Sequence, residues 1–257
     1  MFVHDRHRAI LERLARRPRW AFSQLQREMR VSRSTLRRDL LELEEDGHIV
    51  RVHGGVVHRD FLKGEPTFDR RGKENVDAKR AIGVAAAAMI QPNEAVYIDA
   101  GTTGVEVARA AMLRPDVKIF THSLRIGAEA ASSDAAASVT LVGGEVRNVS
   151  QAVVGGLALQ WMQHLSFDTA FIAASGVSAI GLMTTELSEA AMKQAIIARS
   201  RRVVLVADSA KWDHAAPVEF STWNNVHTWV TDAALPRAAK EAITRHRTTV
   251  VLAKETK

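Results

Sequence analysis

Two stretches of this chain carry residues whose types and spacing could do chemistry. The first is Val31-Ser32-Arg33-Ser34-Thr35-Leu36-Arg37-Arg38-Asp39-Leu40. At helical spacing Leu36, Leu40 and Leu43 form one apolar stripe, which leaves Arg33, Ser34, Thr35, Arg37 and Arg38 on the opposite face. Arginine forks match guanine edges and phosphates, and hydroxyls match phosphate oxygens, so that face suits a nucleic-acid groove. Ser32 stands where an N-cap belongs. The second stretch is Asp99-Ala100-Gly101-Thr102-Thr103, where an apolar run gives way to a helical one. A glycine lets backbone amides approach an anion, two threonine hydroxyls add donors, and a helix N-terminus adds positive potential. A phosphate group fits that description; so does a purely structural turn with a capping threonine.

The charge is placed unevenly. Residues 1–38 hold eleven arginines against Asp5, Glu12 and Glu28, a surplus of eight, while the whole chain of 257 residues carries only +6. The remainder is therefore near neutral at −2, and no lysine precedes Lys63. A basic end on a neutral body is the footprint of a nucleic-acid module attached to a domain with another task. The absence of cysteine excludes disulfides, thiolate nucleophiles and thiolate metal sites. The apolar run Val84–Ile90 is too short to cross a membrane and the first residues have no signal-peptide core, so a cytoplasmic protein is expected.

These residues need elements to hold them. Residues 6–16 predict an amphipathic helix stopped by Pro18, then an extended piece from which Trp20 and Phe22 alternate outward. A helix follows over about Ser23–Met29, then a tight turn, then the arginine-bearing helix to about Glu45. Two short helices around such a turn make a helix-turn-helix. His48–Val52 and Val56-Val57, flanking His53-Gly54-Gly55, read as a hairpin wing. Residues 58–76 read as a linker on which Phe61 or Phe68 docks. From Asp77 helices alternate with apolar β-rich runs, the strands drawn at 95–99, 117–121, 138–142, 169–173, 202–207, 226–231 and 248–252. The helices between them fall at 78–89, 103–113, 124–131, 156–162, 186–199 and 237–245. This alternation predicts an α/β domain with a mainly parallel sheet covered on both faces. Ligands collect beyond the carboxyl ends of such strands. Small or polar residues recur there: Thr121-His122-Ser123, Gly143-Gly144-Glu145, Ala174-Ser175-Gly176 and Asp208-Ser209-Ala210-Lys211. Glu189 and Lys193 share a helix face at i, i+4, a spacing equally typical of a surface ion pair.

The set VSRSTLRRDL, LEEDGHIVR and RVHGG resembles the winged helix-turn-helix of the DeoR family of bacterial transcriptional regulators. That resemblance implies that Ser34, Thr35, Arg37 and Arg38 face the major groove, with Arg51 and His53 reaching backbone or minor groove. Residues 77–253 resemble the family's C-terminal sensor domain. The matching positions include Lys79, Ile82, Asp99, Gly101, Thr102, Thr103, Gly143, Gly144, Gly155, Gly176, Glu189, Lys193, Asp208, Lys211, Thr231 and Asp232. It implies a fold similar to ribose-5-phosphate isomerase and the coenzyme A transferases, and an effector that is a phosphorylated sugar or polyol. Gly101–Thr103 would hold the phosphate, while Asp99, Lys193, Asp208 and Lys211 would read hydroxyls or charge. His122, Ala210, Trp212 and Asp213 depart from the family's usual residues, pointing to a changed effector or a changed protonation requirement.

The expected organisation is therefore a DNA-binding domain over 1–57, a linker over 58–76 and a sensor domain over 77–257. The expected partners are double-stranded operator DNA, the effector and a second copy of the chain, as dimer or tetramer, with no cofactor. A sugar-phosphate isomerase with an appended DNA module is the alternative, with Asp99, Glu189 or Asp208 as carboxylate base. No independent catalytic signature accompanies it. His4 and His7, one helical turn apart, fit contact with phosphate or solvent better than a metal site. Trp212, beside Lys211, is the tryptophan expected to line the effector cavity.

Overall fold

The computed structural model describes residues 3–16, 19–52, 54–59 and 65–254, so the expectations placed on His53 and Phe61 lie outside the described residues. The basic end folds as α1 (Val3–Arg16), β1 (Arg19–Ala21), α2 (Phe22–Met29), α3 (Arg33–Glu45), β2 (Ile49–Val52) and β3 (Gly55–His58). Ile10, Leu14, Leu25, Met29, Leu36, Leu40, Leu43, Ile49 and Val56 close its core. Arg30 takes a left-handed conformation (φ 52°) to end α2, and Ser32 Oγ accepts from the Thr35 amide at 3.1 Å to start α3. Trp20 and Phe22 do not point outward as expected; both pack partly against this core. The reason is that β1 joins the wing as a third antiparallel strand, in the order β1-β3-β2. Gly55 permits that pairing, since a Cβ there would stand 2.3 Å from the Trp20 carbonyl oxygen.

The larger domain is built on β4 (Ala95–Ile98), β5 (Lys118–Thr121), β6 (Ser138–Leu141), a hairpin of β7 (Glu145–Arg147) and β8 (Ala152–Val154), and β9 (Phe167–Ile172). It continues through β10 (Gly176–Val177), β11 (Gly181–Thr184), β12 (Ser200–Val206), β13 (Val218–Thr222), β14 (Thr228–Thr231) and β15 (Thr249–Leu252). Seven of these strands form one sheet in the order β15-β14-β12-β9-β4-β5-β6, and every pairing in it is parallel. Alternate residues face opposite ways. Val96, Ile98, Phe171, Val204 and Val206 pack beneath α5 (Val76–Ala87), α6 (Thr102–Ala111) and α7 (Leu124–Ser132). Tyr97, Ala170, Ile172, Val203 and Leu205 pack beneath α8 (Gly156–Met162), α9 (Leu187–Ala198) and α10 (Arg237–Thr244).

From β4 the chain winds outward to β5 and β6, then returns to lay β9 on the other side of β4. That reversal opens a crevice beyond the carboxyl ends of β4 and β9. The segment read as a patternless linker covers this crevice. It contains α4 (Phe68–Gly72), capped by Thr67, with Phe68 buried in the core and its amide bonded to the Val149 carbonyl at 2.8 Å. A small antiparallel sheet of β10, β11 and β13 flanks the same end and is absent from the sequence reading.

Candidate functional site

Two surfaces hold the residues that could do chemistry. On the first, Arg33, Ser34, Arg37 and Arg38 stand exposed on one side of α3 and Thr35 is half-buried, while Leu36, Leu40 and Leu43 turn inward. A shallow groove between α3 and the wing is lined by Arg33, Arg37, Arg51 and the backbone of Gly54 and Gly55. The Arg33 guanidinium lies 5.9 Å above the Phe22 ring. Arg51 is held by Glu44, its Nε 2.6 Å from a carboxylate oxygen and its amide bonded to the other oxygen at 2.9 Å. Asp39, buried on the inner side of α3, takes two hydrogen bonds from Arg6 at 2.8 and 2.7 Å and so fixes α3 to α1. His7 Nε2 lies 3.5 Å from both Asp39 and Glu42.

The second surface is a cavity of about 430 Å³ beyond the ends of β4, β9 and β12. That volume lies in the range of small-molecule sites. Gly101, Thr102 and Thr103 form one wall at the start of α6, with Ala173–Ser175 after β9 and Ala207 and Lys211 after β12. Arg147 enters from β7, and Glu65, Arg70, Arg71 and Glu74 from the covering segment. The first intrahelical bond of α6 runs from the Val105 amide to the Gly101 carbonyl at 3.0 Å, so the amides of Thr102 to Gly104 point out of the helix end. Glycine is required here by close approach. A Cβ on Gly104 would lie 2.4 Å from the Asp99 carbonyl oxygen, and one on Gly101 2.8 Å from Ala173 Cβ. Arg71 Nε and Nη2 and Thr185 Oγ1 are buried with no hydrogen-bond partner among the described residues.

Behind the wall lies a buried charged network. Lys193 on α9 reaches the Asp99 carboxylate and also donates to the Ala173 carbonyl at 3.0 Å. Asp99 further accepts from the amides of Ala100 (2.9 Å) and Ala173 (2.8 Å). Burial pushes the Asp99 carboxyl up, but Lys193, His122 and these hydrogen bonds outweigh it and hold it below the usual range. Burial lowers His122, whose Nε2 is 3.5 Å from Asp99, and raises the Tyr97 hydroxyl well above its ordinary value. The phenol therefore stays protonated, and its oxygen shares a hydrogen bond with His122 Nδ1 at 2.8 Å; because Nε2 faces the Asp99 carboxylate, the tautomer with the proton on Nε2 and the phenol donating to Nδ1 suits both contacts. Glu189 binds Arg147 (2.9 Å) and Thr184 (2.9 Å). Lys79, buried and lowered by that burial, donates to the carbonyls of Arg71 and Glu74 and pins the covering segment.

Comparison with known proteins assigns both halves. A family model described as the DeoR-like helix-turn-helix domain matches residues 6–60, and one described as the DeoR C terminal sensor domain matches residues 74–233. The HTH-type transcriptional regulator GlpR of Haloferax volcanii is 32% identical over 98% of each chain. The chain belongs to the DeoR family of transcriptional regulators. The glycerol-3-phosphate regulon repressor of Escherichia coli is 29% identical over 94% of this chain and 96% of its own. These DeoR-family relatives are named as regulators and repressors, not as enzymes. A solved ribose-5-phosphate isomerase from Neisseria gonorrhoeae shows a distant likeness, with 16% identity over 52% of each chain and a TM-score of 0.38.

Among the positions carried over from the DeoR pattern, the structure brings Gly101, Thr102, Thr103 and Lys211 into the cavity wall. Asp99, His122 and Lys193 lie behind that wall instead of in it. Glu189 and Lys193 are no surface pair: both are buried, and each holds a different partner. Asp208 is buried, one oxygen accepting from Asn75 at 2.9 Å and the other without a hydrogen-bond partner among the described residues. Gly144 and Gly176 serve close packing, since a Cβ would lie 2.7 Å from the Val154 oxygen at the first and 2.0 Å from the His214 oxygen at the second. Trp212 stacks on Trp229 at 6.3 Å and packs on the core, outside the cavity lining. Ser32 spends its hydroxyl on capping α3. Sequence reasoning missed Glu65, Arg70, Arg71, Arg147 and Thr185, which come from the segment read as linker and from strands or turns too short to show a period. Among the described residues no helix is long and apolar enough to cross a membrane.

Proposed function

We propose that this DeoR-family regulator represses a carbohydrate or polyol catabolic operon and that a phosphorylated sugar or polyol, bound in the cavity, controls its operator affinity. The observation that carries this reading is the join of an open helix N-terminus at Gly101–Thr103 with Lys211, Arg70, Arg71 and Arg147 around one cavity of suitable size. The phosphoryl group sits at the α6 amides and the threonine hydroxyls, with Lys211 supplying charge; Glu74, Ser175 and Thr185 face the hydroxyls. Asp99, Lys193, His122, Glu189 and Asp208 hold the wall rigid from behind. His122, a departure from the family pattern, thus alters the support of the site and not its lining. Exposed arginines on α3 read operator DNA in the major groove, and a homo-oligomer, dimer or tetramer, matches repeated half-sites. This division of labour calls for a cytoplasmic protein, since operator and phosphorylated metabolite meet there.

The test is titration of an operator selected from random duplexes, with and without a panel of phosphorylated sugars and polyols. A ligand that weakens DNA binding must itself bind more weakly to the DNA complex by the same factor. Equal ligand affinity with and without operator rejects the coupling. A ligand response that survives Lys211→Ala and Gly101→Val together moves the site elsewhere.

A further inference from the structure

The covering segment brings a carboxylate into the cavity. Glu65 Oε1 lies 3.1 Å from Arg147 Nη1, and its second oxygen pairs with Arg147 Nη2, a two-pronged grip with Glu65 only 10% exposed. Arg147 is anchored from the other side by Glu189, itself held by Thr184. Arg71 faces the same Glu65 carboxylate at 3.8 Å, beyond hydrogen-bond reach, and its buried Nε and Nη2 lack a hydrogen-bond partner among the described residues. One carboxylate thus serves two guanidinium groups and satisfies only one of them. Leaving buried donors unmet is costly, so an anionic oxygen group of a ligand has a ready place between Arg71 and Arg147.

We propose that Glu65 is a built-in occupant of the sensor cavity, displaced from Arg147 when a ligand brings an anionic group, phosphoryl or carboxylate, to the two arginines. This rests on the reading of the cavity as the effector site. Glu65 lies seven positions after His58, the last residue of the wing strand β3, and three before Phe68, which is buried and bonded to Val149. Displacement therefore acts on the N-terminal side of that anchor, the side from which the DNA-binding domain joins in sequence. The DNA-binding domain senses occupancy through the loss of an ion pair and needs no movement of the sheet. A ligand with a neutral second end hydrogen-bonds to Glu65 and leaves the pair closed; one with a negative second end opens it.

The experiment uses the full-length protein at constant ionic strength, with inorganic phosphate and phosphogluconate (phosphoryl at one end, carboxylate at the other) as probes. Wild type, Glu65→Gln, Glu65→Ala and Lys211→Ala are titrated calorimetrically, and operator affinity is measured for each without ligand. Removing the Glu65 charge should tighten phosphogluconate by about tenfold and lower operator affinity in the ligand-free protein. The alanine variant repeats the test should the glutamine variant fold poorly. Unchanged or weaker binding of both probes in both Glu65 variants overturns the displacement; loss of binding in Lys211→Ala alongside it shows that the cavity reading survives. No binding of either probe to wild type or to the Glu65 variants removes the cavity reading and the displacement together.

Discussion

Lys193 and Asp99, separated by 94 positions in the chain, meet as a buried ion pair behind the cavity, the lysine from α9 and the aspartate from the end of β4. Breaking one side of such a pair strands the other charge in a low-dielectric interior. Lys193→Met should therefore destabilise the larger domain by about 3–5 kcal/mol, and adding Asp99→Asn should restore part of that loss. Thermal unfolding of the single and double variants checks it; a double variant no more stable than Lys193→Met would contradict the pairing.

Acid should act first through His122. Its folded-state affinity for a proton is depressed by burial, against an ordinary value of 6.5. The unfolded chain therefore takes up a proton that the folded chain refuses, so this contribution is full above about pH 6.5 and falls away as pH drops below it. Asp99, also depressed, adds its loss only at lower pH, below the ordinary 3.8. Melting temperature measured between about pH 7 and pH 5 should fall in wild type and fall less in His122→Gln, which can keep a bond to Tyr97. Equal slopes would place the titration on another group.

On the DNA side, Arg37 lines the groove beside the wing, whereas Arg38 is exposed and absent from that lining. Arg37→Ala should cost about 1–3 kcal/mol of operator binding and relax preference at one base pair. Arg38→Ala should weaken all duplexes alike and reduce the salt slope by about one. Anisotropy titrations over a salt series on matched and mismatched duplexes separate the two roles.

Gly104→Ala asks the α6 turn to accept a methyl group 2.4 Å from a carbonyl oxygen. Backbone must shift, at a cost of about 1–3 kcal/mol, and the amides at the helix start lose their alignment. The variant should fold with a lowered melting temperature and lose thermal protection by phosphate. Protection retained at full strength would detach phosphate from this helix end.

The sheet was readable because its seven strands are apolar runs bounded by helices of strong period; Gly156–Met162 even matches at both ends. The small sheet was not, because Gly176-Val177 and Gly181–Thr184 offer too few residues for a period and owe their pairing to distant Val218–Thr222. Phe68 is one of the two aromatics, with Phe61, that the sequence offers for docking, but the single helical turn that carries it depends on Thr67 and on a bond to Val149 far along the chain. At the site, Gly101–Thr103 announces itself through local chemistry. Arg147 and Glu65 do not, since 82 positions separate them and neither stands in a recognisable pattern. Lys193 stands beside Glu189 as its helical spacing indicates, but that spacing cannot show Asp99, the carboxylate it reaches.

On the proposed reading, the wing arginine meets a duplex already paired, its guanidinium resting on Glu44. When a DNA phosphate draws Arg51 away, the abandoned carboxylate is left facing a polyanion and recruits a cation of its own. Fewer counterions are then released overall than the count of arginines on this face would suggest, so a slope of affinity against salt will understate how many side chains touch the backbone.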